Sequence, residues 1–551
     1  MKNKKGFTLV ELLAVIAILA ILVIIALPNV INMYNKARRE VFLIEAKNIY
    51  KEASKRFVTG SFDGENVILI TSKENGLDIS NKDYEYKIKL DKNGKVGDFR
   101  VSNKNFCIKG KFDDASDLTS DKIETEYCDV FDYSPKPTEC TFDGELSTGA
   151  EFINGQYTYR YNQIYVGNGW SPRNLNGWGV TLTDKESTEP VTSKVCTNIN
   201  GKPIVSTSSM FNSSKAESID LTSFSTKNVT DMGNMFYNSE AKSIIGLNNF
   251  NTSKVITMAS MFQKSKALEL DLSTFDTSNV TNMSSMFTYS AAEELDLSAF
   301  NTSKVNTMYA MFADSDVKKI NVSSFDTSNV TTMGGMFKNT KFSSIDISNF
   351  DTKNVKVMNW MFQGTLADEL DLTKLNTGNV THMQGMFMNG KTTIIKGLEN
   401  FDTKNVIDMS SMFNCSSISK IDVSHFDTGN VINMWGMFRF VTVPKIYGLE
   451  NFNTSNVTDM SHMFSLSKLE EVDVSHFDTS NVTNMNLMFY IMDKIKIIDL
   501  SNFNIDNVTS MNEMFFGNKA TVGYARNEAD ASRYNDNSVT KISDKLRFIV
   551  K

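Results

Sequence analysis

The pair Met-Phe returns along most of this chain at a nearly constant interval. Each Met-Phe pair between residues 210 and 515 follows the previous one by 25 or 26 residues. Internal repetition at such a period is typical of a solenoid, in which equal segments form equal coils that stack on one another. The period therefore predicts a stacked repeat architecture. The methionines of these pairs are Met210, Met235, Met261, Met286, Met311, Met336, Met361, Met386, Met412, Met437, Met463, Met488 and Met514.

One unit, residues 292–312, shows how a coil is built: "AEELDLSAFNTSKVNTMYAMF". In "LDLSAF" apolar and polar residues alternate, which predicts a short strand that enters a turn. The segment "NTSKV" is rich in turn-forming and helix-capping residues. In "MYAMF" the spacing of Met308, Met311 and Phe312 places them on one face of a predicted short helix. Each coil then has apolar edges that only its neighbours can bury.

Methionine is concentrated in these repeats. The pattern MxxMF occurs twelve times, and with Met210 it accounts for 25 of the 29 methionines. A methionine stripe can also bind copper or haem, but methionine beside an aromatic residue in every coil is what a soft, gap-filling interior requires. These residues are therefore predicted to form the core.

The turns of the repeat resemble "FDTSNV" in twelve units over residues 204–518, with Leu375 replacing the turn Phe and Ile505 the turn Thr. This region resembles the leucine-rich-repeat-like surface repeats of the BspA type, also called DUF285. Asn precedes the turn Val in ten units, and Lys254 and Lys304 replace it in the other two. A side-chain amide at a tight turn can satisfy backbone groups of its own or the next coil, which predicts a structural role. Seven of these sites read Asn-Val-Thr, a pattern the repeat produces without any glycan.

An acidic residue recurs at the outward position of the predicted strand. If neighbouring strands lie about 4.8 Å apart, these carboxylates form a ladder along one face, which is either a solvated surface or a binding face for a basic partner. Asn321 occupies this position in one further unit, and Gly246, Gly397 and Gly448 are expected there in three others. The acids are Asp220, Asp271, Asp296, Asp346, Asp371, Asp422, Asp473 and Asp499.

The N-terminal segment "KKGFTLVELLAVIAILAILVIIALPN" is apolar from Phe7 to Leu27 apart from Thr8 and Glu11. As a helix of 21 residues it is roughly 31 Å long, which spans a bilayer. Three lysines precede it and place the first residues in the cytoplasm. A signal peptide has a shorter apolar run and a cleavage site that is not found here. A plain membrane anchor fits as well, but leaves the intramembrane carboxylate unexplained.

The same residues, "GFTLVE" after a short basic leader, resemble the class III signal of type IV prepilins and pseudopilins. The resemblance implies that a prepilin peptidase cleaves between Gly6 and Phe7 and that the new amine of Phe7 is methylated. It also implies that Glu11 pairs with the terminal amine of a neighbouring subunit during assembly. The implied partners are other pilin subunits, the prepilin peptidase and, before assembly, the cytoplasmic membrane.

Changes of pattern along the chain divide it into regions, and the predicted fold class is α+β. Beyond residue 28 an amphipathic helix is expected to continue to about residue 58, followed by alternating segments at 66–71, 84–90, 96–102 and 105–111 that predict a small antiparallel sheet. The expected regions are a leader (1–6), a transmembrane and polymerisation helix (7–58), a pilin-like head (59–133), a β-rich adaptor (134–203), the repeats (204–518) and a C-terminal cap (519–551).

Four cysteines precede residue 200 in a region expected outside the membrane, where disulfides persist. Proximity within the proposed regions favours pairing Cys107 with Cys128 and Cys140 with Cys196, although four cysteines allow three connectivities. The adaptor is also rich in Tyr and Trp. These rings form either the core of a small β domain or, less favoured, a platform that binds sugars.

Several functional classes find no support in the sequence. The net charge is −7 and no basic cluster follows the leader, so no nucleic-acid partner is expected. No motif for catalysis, cofactor binding or metal binding is found, and the four histidines lie at substituted repeat positions. The chain is therefore not expected to be an enzyme or to carry a cofactor.

The expected function is that of a pilin-like surface subunit, minor or at the tip, whose solenoid serves adhesion to host or neighbouring cells. The ligand, a surface protein or a glycan, is not identified by the sequence. The chain is expected to cross the cytoplasmic membrane once before assembly and then to expose its C-terminal region on the cell or pilus surface. The alternatives are a pseudopilin of a type II secretion or DNA-uptake system and a plain membrane-anchored surface protein.

Overall fold

A computed structural model describes most of the chain. The described residues are 36–59, 69–72, 77, 79, 84–91, 93–103, 106–123, 138–166, 169–192 and 194–551. The chain divides into two compact units, Met1–Tyr133 and Ser134–Lys551, which are treated separately below.

The first unit has a helix and a small sheet. Residues 36–59 form helix α1. The four predicted strands are present and pair antiparallel in chain order. Along the second, alternate side chains are buried, as expected for a sheet with one covered face, and along the third Val96, Phe99 and Val101 are buried. The strands are β1 (Leu69–Thr71), β2 (Glu85–Leu90), β3 (Val96–Ser102) and β4 (Cys107–Gly110), and two 3₁₀ turns follow at Ala115–Asp117 and Ser120–Lys122.

Helix α1 packs its aromatic face onto this sheet. The ring of Phe42 stacks on that of Tyr84, and the Tyr50 ring lies 5.3 Å from that of Phe99. The opposite face is uncovered within this unit, because Val41 and Ile44 are each 58% exposed. The helix therefore has two apolar stripes, and only one is used by its own sheet.

The second unit begins with the β-rich adaptor. Its strands are β5 (Glu139–Cys140), β6 (Glu151–Asn154), β7 (Tyr157–Tyr161), β8 (Gln163–Val166), β9 (Gly169–Pro172), β10 (Trp178–Leu182), β11 (Asn198–Ile199) and β12 (Lys202–Ser206). Six of them form one sheet in the order β5-β11-β12-β10-β7-β6, and β8 and β9 form a hairpin. A disulfide joins Cys140 to Cys196. Cys107 of the first unit is also disulfide-bonded, and its predicted partner Cys128 lies outside the described residues.

The repeats form a β-solenoid of about 15 turns. Its short strands pair in parallel with the same segment of the next coil. A second column of parallel bridges runs from Ser206 to Ser510 and links every coil to the next. The strands are β13 (Ser218–Asp220), β14 (Ser243–Ile245), β15 (Glu294–Asp296), β16 (Lys319–Asn321), β17 (Glu369–Asp371), β18 (Ile394–Lys396), β19 (Ile421–Asp422), β20 (Ile446–Tyr447) and β21 (Ile497–Leu500).

The prediction of a short helix in each coil is wrong. Residues 204–518, all of which are described, contain no α-helix, and the MxxMF segments consist of consecutive turns. Within one coil Met311 donates to the Met308 carbonyl, while Ala310 and Phe312 donate to the next coil at Gly334 and Met336. A helix would use all of these donors inside the coil. In these turns every second backbone N–H instead donates to the neighbouring coil.

The interior consists of columns of identical residues. One column stacks thirteen phenylalanine rings from Phe211 to Phe515, with successive centroids 5.3–6.3 Å apart. The methionines of the MxxMF segments are buried against this stack, which confirms that they form the core. A third column consists of buried threonines from Thr226 to Thr479, each of which donates to a backbone carbonyl of the next coil over 2.8–3.0 Å. Ring contact and hydrogen bonding thus fix the same spacing between coils.

Four coils are one residue longer than the others, and three of them contain a glycine after the strand. Gly246, Gly397 and Gly448 have φ of +91°, +88° and +92°, and each opens a 3₁₀ turn at Leu247–Asn249, Leu398–Asn400 or Leu449–Asn451. The added residue is absorbed in this turn, so the strands before it and the columns after it stay in register. The glycine is required because a Cβ at position 397 would lie 2.5 Å from the Thr373 backbone nitrogen.

The last coil is closed by two more strands and two short helices. Strands β22 (Val522–Ala525) and β23 (Arg547–Val550) extend the parallel ladder of β21. Between them lie α2 (Glu528–Tyr534) and α3 (Asn537–Thr540), and Tyr534 and Phe548 cover the end of the phenylalanine stack at Phe515.

We expect the substitution Gly397→Ala to destabilise the solenoid by about 2 kcal/mol or more. The left-handed backbone alone costs an alanine roughly 1–2 kcal/mol, and the overlap with the backbone of the preceding coil adds to this. Denaturant unfolding of the full chain measures the change. Gly390→Ala is the matched control, since its added Cβ would meet no atom closer than 3.5 Å. Equal stability of the two variants would contradict this account of the longer coils.

Candidate functional site

The residues predicted to act in processing and assembly are Gly6, Phe7 and Glu11, and they lie outside the described residues, as does the predicted membrane span at 7–27. Among the helices that the structure does describe, none is long and apolar enough to cross a membrane. The described surfaces that offer candidate sites are those of the solenoid and the adaptor.

The acids of the predicted binding face have a local structural role. The Oδ1 atom of each accepts a hydrogen bond from the backbone N–H of the Ser or Thr two residues later, over 2.9–3.3 Å. This is an Asx turn that ends the strand. For Asp296, Asp371 and Asp473, a hydrogen bond from the hydroxyl of the Ser or Thr two residues later is the main cause that holds the carboxyl pKa below its usual range.

The row of acids is interrupted in a way that the sequence did not predict. The strand register pairs Asp220 with Ile245, Asp371 with Lys396 and Asp422 with Tyr447. The prediction that Gly246, Gly397 and Gly448 occupy these positions is wrong. It assumed a constant spacing between the strand and the turn Phe, and in these three coils the extra residue lies between the two. An isoleucine, a lysine and a tyrosine therefore break the row into shorter segments.

The turn face carries the asparagine row. In nine coils the asparagine Nδ2 donates to a backbone carbonyl of the preceding coil over 2.7–2.8 Å, which confirms the predicted structural role. Six of these asparagines belong to Asn-Val-Thr sites, so the amide nitrogen that would carry a glycan is already bonded. The nine are Asn279, Asn329, Asn354, Asn379, Asn405, Asn430, Asn456, Asn481 and Asn507.

An open groove of about 510 Å³ lies on this face in the C-terminal half of the solenoid. It is lined by Asn405, Ile407, Asn430, Ile432, Asn456 and Thr458. Ile407 and Ile432 are 38% and 48% exposed. This groove was not predicted from the sequence. In most coils the residue after the turn Val is polar, and in two adjacent coils it is replaced by isoleucine. This replacement was the signal in the sequence.

The adaptor aromatics mostly form a core. Tyr157, Tyr159 and Trp178 are fully buried, which supports the core interpretation over a sugar-binding platform. Tyr165 and Trp170 on the β8–β9 hairpin are half-buried and pack edge to face. Lys185 lies 4.0 Å from the centroid of the Tyr165 ring, and Arg160 lies over the Trp170 ring. Burial lowers the pKa of Lys185 to about 8.

Among the described residues, no group of three or more His, Cys, Asp or Glu side chains is placed so that it could hold a metal ion. The features that remain are the acid row, the asparagine row and the groove, all of which suit binding on an extended surface.

The fold and the surface geometry define a parallel β-solenoid with a regular interior and varied outer faces. The family model described as "Mycoplasma protein of unknown function, DUF285" matches residues 205–321, 289–394, 315–420, 389–443 and 439–547. These matches cover well over half of the chain, which therefore belongs to the DUF285 family.

A second family model, the prokaryotic N-terminal methylation motif, matches residues 1–27. Both resemblances found in the sequence are thereby confirmed. The motif implies a prepilin peptidase and other pilin subunits as partners, and together with the repeats it fits a pilin-like surface protein. No curated protein and no solved structure matches the chain.

We expect Asp371→Ala to lower the Tm of the solenoid at pH 7 and Asp371→Asn to leave it nearly unchanged. An asparagine oxygen makes the same turn, as Asn321 does with Ser323. Because the folded pKa of Asp371 is lowered, its contribution is present above the unfolded value of about 3.9 and is lost as the pH falls through the folded value.

Thermal unfolding at pH 7 and pH 3 checks both points. On acidification the Asp371→Asn variant should lose less stability than the parent chain, because its turn cannot be protonated. If the alanine variant melts at the same temperature as the parent chain at pH 7, the carboxylate has no role in the turn.

Proposed function

We propose that this chain is a minor or tip subunit of a type IV pilus-like filament and that its solenoid mediates adhesion to another cell or to a surface protein. The observation that carries the proposal is the occurrence of the methylation motif and the DUF285 repeats on one chain. A unit as large as Ser134–Lys551 would crowd every position of a densely packed fibre, which favours a subunit used sparsely.

Glu11 is the proposed assembly residue. A carboxylate in the bilayer is costly by itself, about 2.5–3.5 kcal/mol at the centre of a helix on insertion scales. An ammonium within hydrogen-bond distance offsets that cost, because the two charges neutralise each other in a low dielectric. The amine of Phe7 on a neighbouring subunit is the proposed partner. The pairing favours docked subunits over free ones.

Helix α1 gives separate support for contact between subunits. Val41 and Ile44 face away from the sheet that covers Phe42 and Tyr50, and both are more than half exposed. An exposed apolar stripe on a helix is typical of a surface that packs against another element. Packing of this stripe against neighbouring helices would continue the contact that the N-terminal segment begins.

The proposed route follows from these parts. The chain first crosses the cytoplasmic membrane once with its leader inside, and the peptidase then releases the leader. The subunit enters a filament and the repeats become exposed at the cell or pilus surface. An extracellular location suits the disulfide between Cys140 and Cys196.

Mass spectrometry of the mature N-terminus tests the processing step. We expect the chain to begin with N-methylated Phe7, and we expect Gly6→Ala to reduce cleavage because the residue before the cut belongs to the recognised motif. Detection of Met1 at the terminus of the membrane-extracted chain would exclude pilin-like processing.

Replacement of Glu11 tests assembly. We expect Glu11→Ala to lower the amount of this chain in sheared filaments at least tenfold while the membrane level stays unchanged, since the charge pair forms only between subunits. Glu399→Ala is the control, because Glu399 is an exposed acid in a turn of the solenoid, outside the helix proposed to lie between subunits.

Immunogold labelling of the repeats then locates the subunit. Label at sparse points or ends of long fibres fits a minor or tip subunit, whereas label confined to the cell body fits a pseudopilus. Filament incorporation of the Glu11→Ala chain at the parent level would overturn the assembly role.

A further inference from the structure

The turn face of the solenoid differs in charge between its two halves. Five of the six C-terminal turns, at residues 376–384, 402–409, 427–434, 453–460 and 478–485, carry five aspartates and a single lysine, Lys404. The six turns before them, from residue 225 to 358, carry four aspartates and five lysines. The groove of Asn430 and Ile432 lies in the acidic half. The five aspartates are Asp402, Asp408, Asp427, Asp459 and Asp478.

The groove presents hydrogen-bond acceptors. The Nδ2 atoms of Asn405, Asn430 and Asn456 are each bonded to a carbonyl of the preceding coil, over 2.7 Å. All three residues are exposed, so each amide oxygen, together with the second N–H of each amide, is open to a ligand. A ligand that donates hydrogen bonds can therefore bind along the row of amide oxygens.

The chain itself contains a group of this kind on the same row. Where lysine replaces asparagine, its Nζ donates to the Oδ1 of the asparagine one coil earlier. The distance is 2.9 Å from Lys254 to Asn228 and 2.6 Å from Lys304 to Asn279. The row therefore accepts an ammonium group at a position where the repeat supplies one.

We propose that the groove binds lysine side chains of a basic polypeptide segment. The ammonium of a lysine would donate to the amide oxygens of Asn405 and Asn430, as the lysines in the chain do to theirs. Its methylene stem would lie on Ile407 and Ile432, which supply apolar surface to a side chain of this shape. The surrounding aspartates supply the complementary charge.

Lysine fits these features better than other donors. A sugar hydroxyl gains nothing from the excess of aspartates, and an anionic ligand is repelled by it. A planar guanidinium is suited to paired carboxylate oxygens rather than to amide oxygens held one per coil. This inference names a class of partner for the proposed surface role, and its biological meaning rests on that role. Binding of the peptide is measured independently of filament assembly.

The test uses the full chain in detergent and an eight-residue peptide of alternating lysine and serine with an N-terminal fluorescein. Fluorescence anisotropy gives its Kd. We expect Asn430→Lys to weaken binding at least tenfold, because the new Nζ would occupy the Asn405 oxygen as Lys304 occupies that of Asn279. We expect Ile432→Thr, the residue that the next coil has at Thr458, to weaken binding severalfold.

Asn354→Lys is the matched control, since it makes the same change on Asn329 outside the groove, and we expect its Kd to stay within twofold of the parent value. The peptide with acetylated lysines should fail to bind, and an arginine peptide should bind at least fivefold more weakly. Thermal unfolding shows that the two Asn→Lys variants are equally folded.

Three results would overturn the proposal: parent-like binding by Asn430→Lys, equal loss in Asn354→Lys, or equal affinity for lysine and arginine peptides. Normal filament incorporation of a chain that binds no lysine peptide would reject the groove assignment alone. Failure of N-terminal processing in a chain that binds the peptide would instead reject the pilin-like role.

Discussion

Hydrogen bonding from each coil to the next is the constraint on which the rest of the solenoid depends. The MxxMF turns give alternate backbone donors to the following coil, and the bridge column from Ser206 to Ser510 does the same at another corner. These bonds fix the separation of the coils. Once that separation is fixed, each phenylalanine stacks on the phenylalanine of the next coil, and the buried threonines and outer asparagines reach backbone carbonyls of a neighbouring coil. Stability then becomes a sum over neighbouring coils.

The same constraint explains why the surface can carry function. Aspartate at the strand end uses one carboxylate oxygen in its turn, and asparagine on the turn face uses its nitrogen for the preceding coil. Each retains another polar atom at an exposed position. The side chains of residues beside them, such as Ile432, take no part in these hydrogen bonds and are free to vary. A regular interior therefore supports local sites, of which the groove is one, without a change of backbone.

Much of the architecture was predictable because it depends on local pattern. The period of 25 or 26 residues gave the stacked coils, alternation gave the strands of both units, and the position of the turn asparagine gave its structural role. The error concerning the helix has a physical cause: spacing at i, i+3 and i+4 describes which side chains share a face, but not where the backbone donors go. Ala310, with φ of 52°, adopts a left-handed conformation that no spacing rule indicates.

By itself the sequence determined the repeat, its buried columns and the N-terminal motif, because each depends on residue types at fixed separations along the chain. Only the tertiary structure decided which residues of different coils are neighbours. The parallel strand register pairs Asp371 with Lys396, and the stacking of three coils brings Asn405, Asn430 and Asn456 together with two isoleucines in one groove. Such contacts depend on hydrogen bonds between coils. A one-residue insertion changes which residues meet without altering the repeat pattern in the sequence.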